Sequence, residues 1–138
     1  TNYGNAIDVA GPGGDNGPLY DSLFRADPKG DYLNKRDFTY RTLSTYPSYP
    51  VGANGGTNAT TQFSDGKWHG YSYLHGTSMA APKVAGVAGV IKAAHPEYTP
   101  AQVAAAIRQS ALDFGKVGVD PLYGAGEANL YNYLSNDK

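Results

Sequence analysis

The chain contains no cysteine, one methionine and one tryptophan in 138 residues. Without thiols it forms neither disulfides nor thiolate metal sites. A secreted protein of that kind is unremarkable in bacteria and less usual in eukaryotic secretion. Charge is sparse too: Asp, Glu, Lys and Arg make up 17%, with a net charge of −1. That balance argues against a nucleic-acid or anionic-membrane partner. No run approaches the roughly 18–20 apolar residues of a membrane span. The first residues are neither basic nor apolar, so no signal peptide is expected here, and a secretion signal would lie upstream. What the chain has in quantity is glycine (18) and tyrosine (12), a composition suited to a loop-rich extracellular protein. Its length is enough for one small core, with no evident linker or second domain.

Along the chain, Ala6–Ala10 reads as a short strand ended by Gly11-Pro12-Gly13-Gly14. Residues 14–38 are polar and without convincing period, with at most a turn of helix around Pro18–Phe24. Tyr40–Tyr46 and Tyr71–Leu74 are candidate strands that would pair as a hairpin, joined by a Gly-, Asn-, Thr- and Pro-rich loop from Pro47 to Lys67. Thr99-Pro100-Ala101-Gln102 is a capping box that opens a helix to about Leu112, with Val103, Ile107, Ser110 and Ala111 on one face. A last short helix fits Ala128–Leu134, facing inward with Leu130 and Leu134.

The chemistry concentrates at residues 76–82, Gly-Thr-Ser-Met-Ala-Ala-Pro, which open a small-residue helix to about His95. Gly76 removes the side chain where a backbone or a substrate must come close. Pro82 falls in the first turn, where a lost N–H costs nothing. Val84, Ala85, Val87, Ala88, Val90, Ile91 and Ala94 cover most of the circumference, which predicts burial on nearly all sides. Ser78 therefore stands where free N–H groups and the helix dipole favour negative charge, as a nucleophile that creates an oxyanion requires. A lone Ser before a helix is ordinarily an N-cap; the whole heptapeptide favours the nucleophile.

This heptapeptide, with Val84-Ala85-Gly86 behind it, resembles the nucleophile signature of subtilisin-like serine proteases, the subtilases. Three further blocks stand in the family's order: Tyr3–Gly13 with its Asp8-Val9-x-x-Pro12-Gly13 turn, His95–Val103, and Tyr123-Gly124-Ala125-Gly126-Glu127-Ala128-Asn129. The resemblance implies an α/β fold, the C-terminal part of a doubly wound, mostly parallel sheet with a central buried helix carrying the nucleophile. It implies an endopeptidase working through an acyl-enzyme on Ser78, with Leu74, His75, Gly76 and Thr77 bordering the substrate pocket. Subtilases run Asp, His, Ser along the chain. Here no Asp-x-Gly strand end, no His-Gly-Thr helix start and no Ala-Gly-Asn oxyanion segment precedes Ser78. The catalytic Asp and His are thus expected on an N-terminal portion of the same domain, as a separate partner or as the remainder of a longer chain, and this chain alone is expected to be inactive.

His75 lies too close along the chain to serve Ser78 and reads as a rim residue; His69, in a loop, and His95 read as structural. Lys83 stands where many subtilases carry histidine, and its charge in the second turn suggests a carboxylate partner from outside the chain. Asp8 resembles a family carboxylate that helps fold a nearby loop, near which a weak cation site can form. No cofactor is required, and calcium, if bound by the complete domain, would be structural. Asn58-Ala59-Thr60 is formally a glycosylation sequon without meaning in a bacterial context. The insertions, the tyrosines and the lack of cysteine favour bacterial, extracellular subtilases of the lantibiotic-leader-peptidase kind. Two alternatives stand beside this reading: a catalytically inactive peptide-binding module, and a Tyr/Gly-rich adhesive domain.

Overall fold

A computed structural model describes residues 3–30, 32, 35–46, 61–62, 68–69 and 71–136. Two compact units emerge, one formed by Thr1–Gly13 with Gly76–Lys138 and the other by Gly14–His75.

In the first unit, helix α2 spans Thr77–Ala94, α3 Pro100–Ser110 and α4 Leu130–Asn136. The predicted capping box opens α3: the Gln102 N–H donates to Thr99 Oγ1 at 3.3 Å, and Thr99 N–H donates to Gln102 Oε1 at 2.8 Å. Pro100 at the first helical position gives up an N–H that would have no partner there. Val103, Ile107 and Ser110 then fall on the inward stripe, and the Ser110 hydroxyl stays paired by donating to the Ala106 carbonyl at 2.9 Å. The core joins Val103 and Ile107 to Ile91 of α2 and Tyr133 of α4, with Val9, Val87, Ala88 and Leu130 packed around them.

Three expectations change. Among the described residues of α2 only Ile91 is buried, while Ala85, Gly86, Gly89 and Val90 are exposed. A helix buries only as many faces as it has neighbours, and in this unit α2 packs on α3 and on residues 11–13. A groove of about 570 Å³ stays open beside α2 and α3, lined by Ala88, Gly89, Val103 and Ile107. Helix α4 starts at Leu130 because the Asn129 carboxamide oxygen accepts the Asn132 N–H at 2.9 Å and so caps it. Its inward residues become Leu130 and Tyr133, one turn apart, and Leu134 is 50% exposed. Ala6–Ala10 shrinks to two bridges, because a turn closed by Ile7 N–H on the Gly4 carbonyl occupies its start.

Those bridges make a small braid. Val9 pairs antiparallel with Gly124, Ala10 parallel with Glu127, and Leu112 antiparallel with Glu127. The Tyr123–Gly126 turn fits there only as glycine: Gly126 has φ +116°, and a Cβ on it would stand 2.2 Å from the Leu112 carbonyl oxygen. Asp120 pins the preceding loop. It is buried, and its Oδ1 accepts N–H bonds from Leu122 and Tyr123 at 2.7 and 2.9 Å, its Oδ2 one from Lys116 at 3.1 Å.

In the second unit, β1 (Thr42–Thr45) and β4 (Tyr71–Leu74) pair antiparallel as expected, with Thr42 opposite Leu74 and Thr45 opposite Tyr71. Helix α1, Pro18–Ala26, is longer than the single turn expected. Tyr20 and Phe24, one turn apart, stack in parallel, and Tyr32 meets both rings edge-on at 5.1 and 5.3 Å. Inside the long connection, β2 (Thr61–Gln62) pairs with β3 (Trp68–His69), so His69 lies on a strand and not in a loop. The rest of that connection, residues 47–60 and 63–67 with the sequon at 58–60, lies outside the described residues. The molecule is thus α/β. Within the chain its paired strands are antiparallel, and among the described residues the parallel contribution is the Ala10–Glu127 bridge.

Candidate active site

Ser78 sits on the first turn of α2 and is exposed. The turn is entered through Gly76 at φ +130°, a conformation that a Cβ would oppose. Gly76 N–H donates to the Gly13 carbonyl at 2.9 Å, and the Gly76 carbonyl accepts from Met79 and Ala80 at 2.9 and 3.2 Å. The N-cap of α2, Gly76, has no side chain to cap the N-terminus. The N–H groups of Thr77 and Ser78 precede the first intrahelical bonds, so they point out of the helix beside the Ser78 hydroxyl. Hydroxyl and outward N–H groups on one turn are the pair that acyl transfer needs: an attacking oxygen and a donor for the oxyanion it creates.

The predicted site residues divide between the units. Gly76, Thr77 and Ser78 are consecutive on the entry to α2. Leu74, half-buried at the end of β4, and His75, exposed, close the second unit. Asp8 reaches Arg108 at 3.2 Å, an ion pair between the N-terminal segment and α3. Among the described residues no group of three or more His, Cys, Asp or Glu side chains stands where it could hold a metal ion. His95 ends α2 and stacks on Tyr98 with ring centroids 4.4 Å apart, its Nδ1 3.1 Å from Glu97 Oε1. The backbone N–H of Glu97 and the His95 contact both lower the Glu97 pKa.

Sequence reasoning missed what the site stands on. Gly11 and Gly13 lie so close to α2 that a Cβ on Gly13 would be 2.8 Å from the Gly76 carbonyl oxygen. Lys83 has a partner inside the chain, donating from Nζ to the Pro12 carbonyl at 2.8 Å. The signal was the run Gly11-Pro12-Gly13-Gly14, legible as a turn but silent about its distant partner.

The chain is 42% identical over 69 residues to an "Extracellular serine protease" of Serratia marcescens, covering 50% of this chain and 7% of that protein. With "Subtilisin-like protease SBT1.9" of Arabidopsis thaliana it shares 47% over 94 residues, 67% of this chain and 11% of the relative. Among solved structures, a lanthipeptide protease superposes with TM-score 0.68 at 34% identity, over 96% of this chain and 36% of the other. A protease from Pseudoalteromonas arctica superposes with TM-score 0.58 at 28% identity, over 99% of this chain and 31% of the other. The chain thus spans about a tenth of the sequence relatives and a third of the solved ones. The sequence model of the subtilase family matches residues 1–126, ending on the glycine that closes the Tyr-Gly-x-Gly turn, and the chain belongs to that family.

Proposed function

We propose that this chain carries the nucleophile of a bacterial extracellular serine endopeptidase that processes a precursor or leader peptide. One observation carries the reading: an exposed Ser78 hydroxyl on the uncapped first turn of α2, whose entry is fixed by the Gly76–Gly13 bond. Ser78 Oγ attacks the scissile carbonyl and gives its proton to a histidine on an N-terminal portion of the domain. The carbonyl oxygen becomes an oxyanion that the Ser78 N–H stabilises. The C–N bond then breaks, the amine leaves with the proton, and water hydrolyses the acyl-enzyme. Nucleophile, base and oxyanion donors are all protein groups, so the chemistry requires no cofactor; calcium in the complete domain would be structural.

The exposed small-residue face of α2 supports an N-terminal portion that covers it, with the catalytic Asp and His, and the greater length of the relatives agrees. Likeness to a lanthipeptide protease over nearly the whole chain supports a leader-peptide substrate. The name of the Serratia relative and the lack of cysteine support secretion from a bacterium. No described helix is long and apolar enough to cross a membrane.

The test is Ser78→Ala in the complete protein, with a serine-directed phosphonate on the parent. Turnover should fall about 10⁶-fold, the scale for loss of the nucleophile in subtilisin, with peptide binding nearly intact. The phosphonate should label Ser78 alone. Full activity in the variant, or labelling elsewhere, rejects the assignment.

A further inference from the structure

The turn at 11–13 is held on α2 at three successive residues. Gly11 lies against the helix, where a Cβ would stand 2.8 Å from Val84 Cγ2 and 3.2 Å from the Ala80 carbonyl oxygen. Pro12 presents its carbonyl to Lys83 Nζ at 2.8 Å. Gly13 presents its carbonyl to the Gly76 N–H at 2.9 Å. The middle contact differs from its neighbours in being made by a long side chain. Ordering a lysine costs rotamer entropy, and an ammonium in the second turn of a helix mildly opposes the dipole. Neither cost is met by burial, because Lys83 is exposed.

Proline makes this contact mechanically important. Its ring fixes φ, so the direction of the Pro12 carbonyl is set by ψ alone. Rotation about ψ swings the whole Pro12–Gly13 peptide, and with it Gly13, whose carbonyl holds Gly76. A donor on the Pro12 carbonyl therefore fixes Pro12 ψ and the plane of the Pro12–Gly13 peptide, which leaves only the torsions of Gly13 itself between that plane and the carbonyl that holds Gly76.

We propose that Lys83 is a positioning residue for Ser78: its ammonium holds the Pro12–Gly13 peptide, which holds Gly76 and the N–H groups of the first turn. This inference rests on the peptidase reading of the site. Small displacements of a nucleophile or an oxyanion donor act on the chemical step and leave ground-state binding largely intact.

The test compares Lys83→Met and Lys83→Arg in the complete protein, reading kcat, KM, Tm and amide exchange at Gly76. Methionine keeps an apolar stem without the donor; arginine keeps a charged donor. Lys83→Met should lower kcat about tenfold or more, leave KM unchanged and speed Gly76 exchange. Lys83→Arg should restore most of both. Parental kcat or unchanged Gly76 exchange in Lys83→Met overturns the proposal, as does an arginine variant as slow as the methionine one with an equal loss of Tm. A parent protein that neither cleaves peptide nor takes the phosphonate sinks the peptidase reading instead. In that event Gly76 exchange alone still decides whether Lys83 holds the turn.

Discussion

At Gly13, two backbones distant in sequence approach until no Cβ fits between them. Gly13→Ala would force the Gly76 carbonyl to move, and overpacking of this kind costs ~1–3 kcal/mol. Because the displaced group is the entry to α2, Tm and kcat should fall together in the complete protein; an unchanged kcat would show that the Gly76–Gly13 contact does not place Ser78. Asp120 offers a test by pH. The N–H groups of Tyr123, Leu122 and Lys116 bind its carboxylate and lower its pKa. A lowered folded value means stability that is complete above the ordinary aspartate pKa of about 3.9 and is lost as pH falls through the folded value. Asp120→Asn should lower Tm at pH 7 and flatten its fall on the acid side. Parallel Tm–pH curves for the two proteins would refute that role.

Elements were legible where a local device marked them. Helix α3 was read from its capping box, and Thr99→Ala should cost about 1 kcal/mol, visible as a lower Tm in the complete protein. A Tm equal to the parent's would mean that the box adds nothing beyond the packing of Val103 and Ile107. The start of α2 was legible from Gly76, whereas Pro82, expected in the first turn, is the sixth residue of the helix and lies inside it. Helix α4 slipped by two residues because Asn129, a capping side chain, resembled part of the helix. Helix α1 was underestimated: its aromatic pair at Tyr20 and Phe24 is interleaved with charges that hide the period. The place of Ser78 on the first turn of α2 was legible from its neighbours in sequence. Its support was not, because Pro12–Lys83 and Gly13–Gly76 are contacts that no local pattern encodes.

For the molecule as a whole, the exposed side of α2 is the most informative departure from expectation. A Cβ built on Gly86 meets nothing within 4 Å, although the sequence predicted a helix with no room there. In the complete protein, Gly86→Val therefore reports cover supplied from outside this chain. Helix propensity alone makes the change neutral to slightly favourable, whereas a covering element would turn it into a loss of ~1–3 kcal/mol. It should lower Tm more than Ala101→Val on the exposed side of α3, and an unchanged or raised Tm for Gly86→Val would mean that nothing covers this face. By the same reasoning, these residues expressed alone should melt without a cooperative transition and cleave no peptide. A sharp melt with amidase activity would contradict both.

The Gly76–Gly13 bond has a topological consequence as well. Everything from Gly14 to His75 departs and returns at two residues already bonded to each other within the first unit. Such an excursion is a closed loop on a fixed stem, and doubling its length costs only about 0.6 kcal/mol in closure entropy. Changing the length of that segment therefore costs little in closure entropy and leaves the Gly76–Gly13 stem in place.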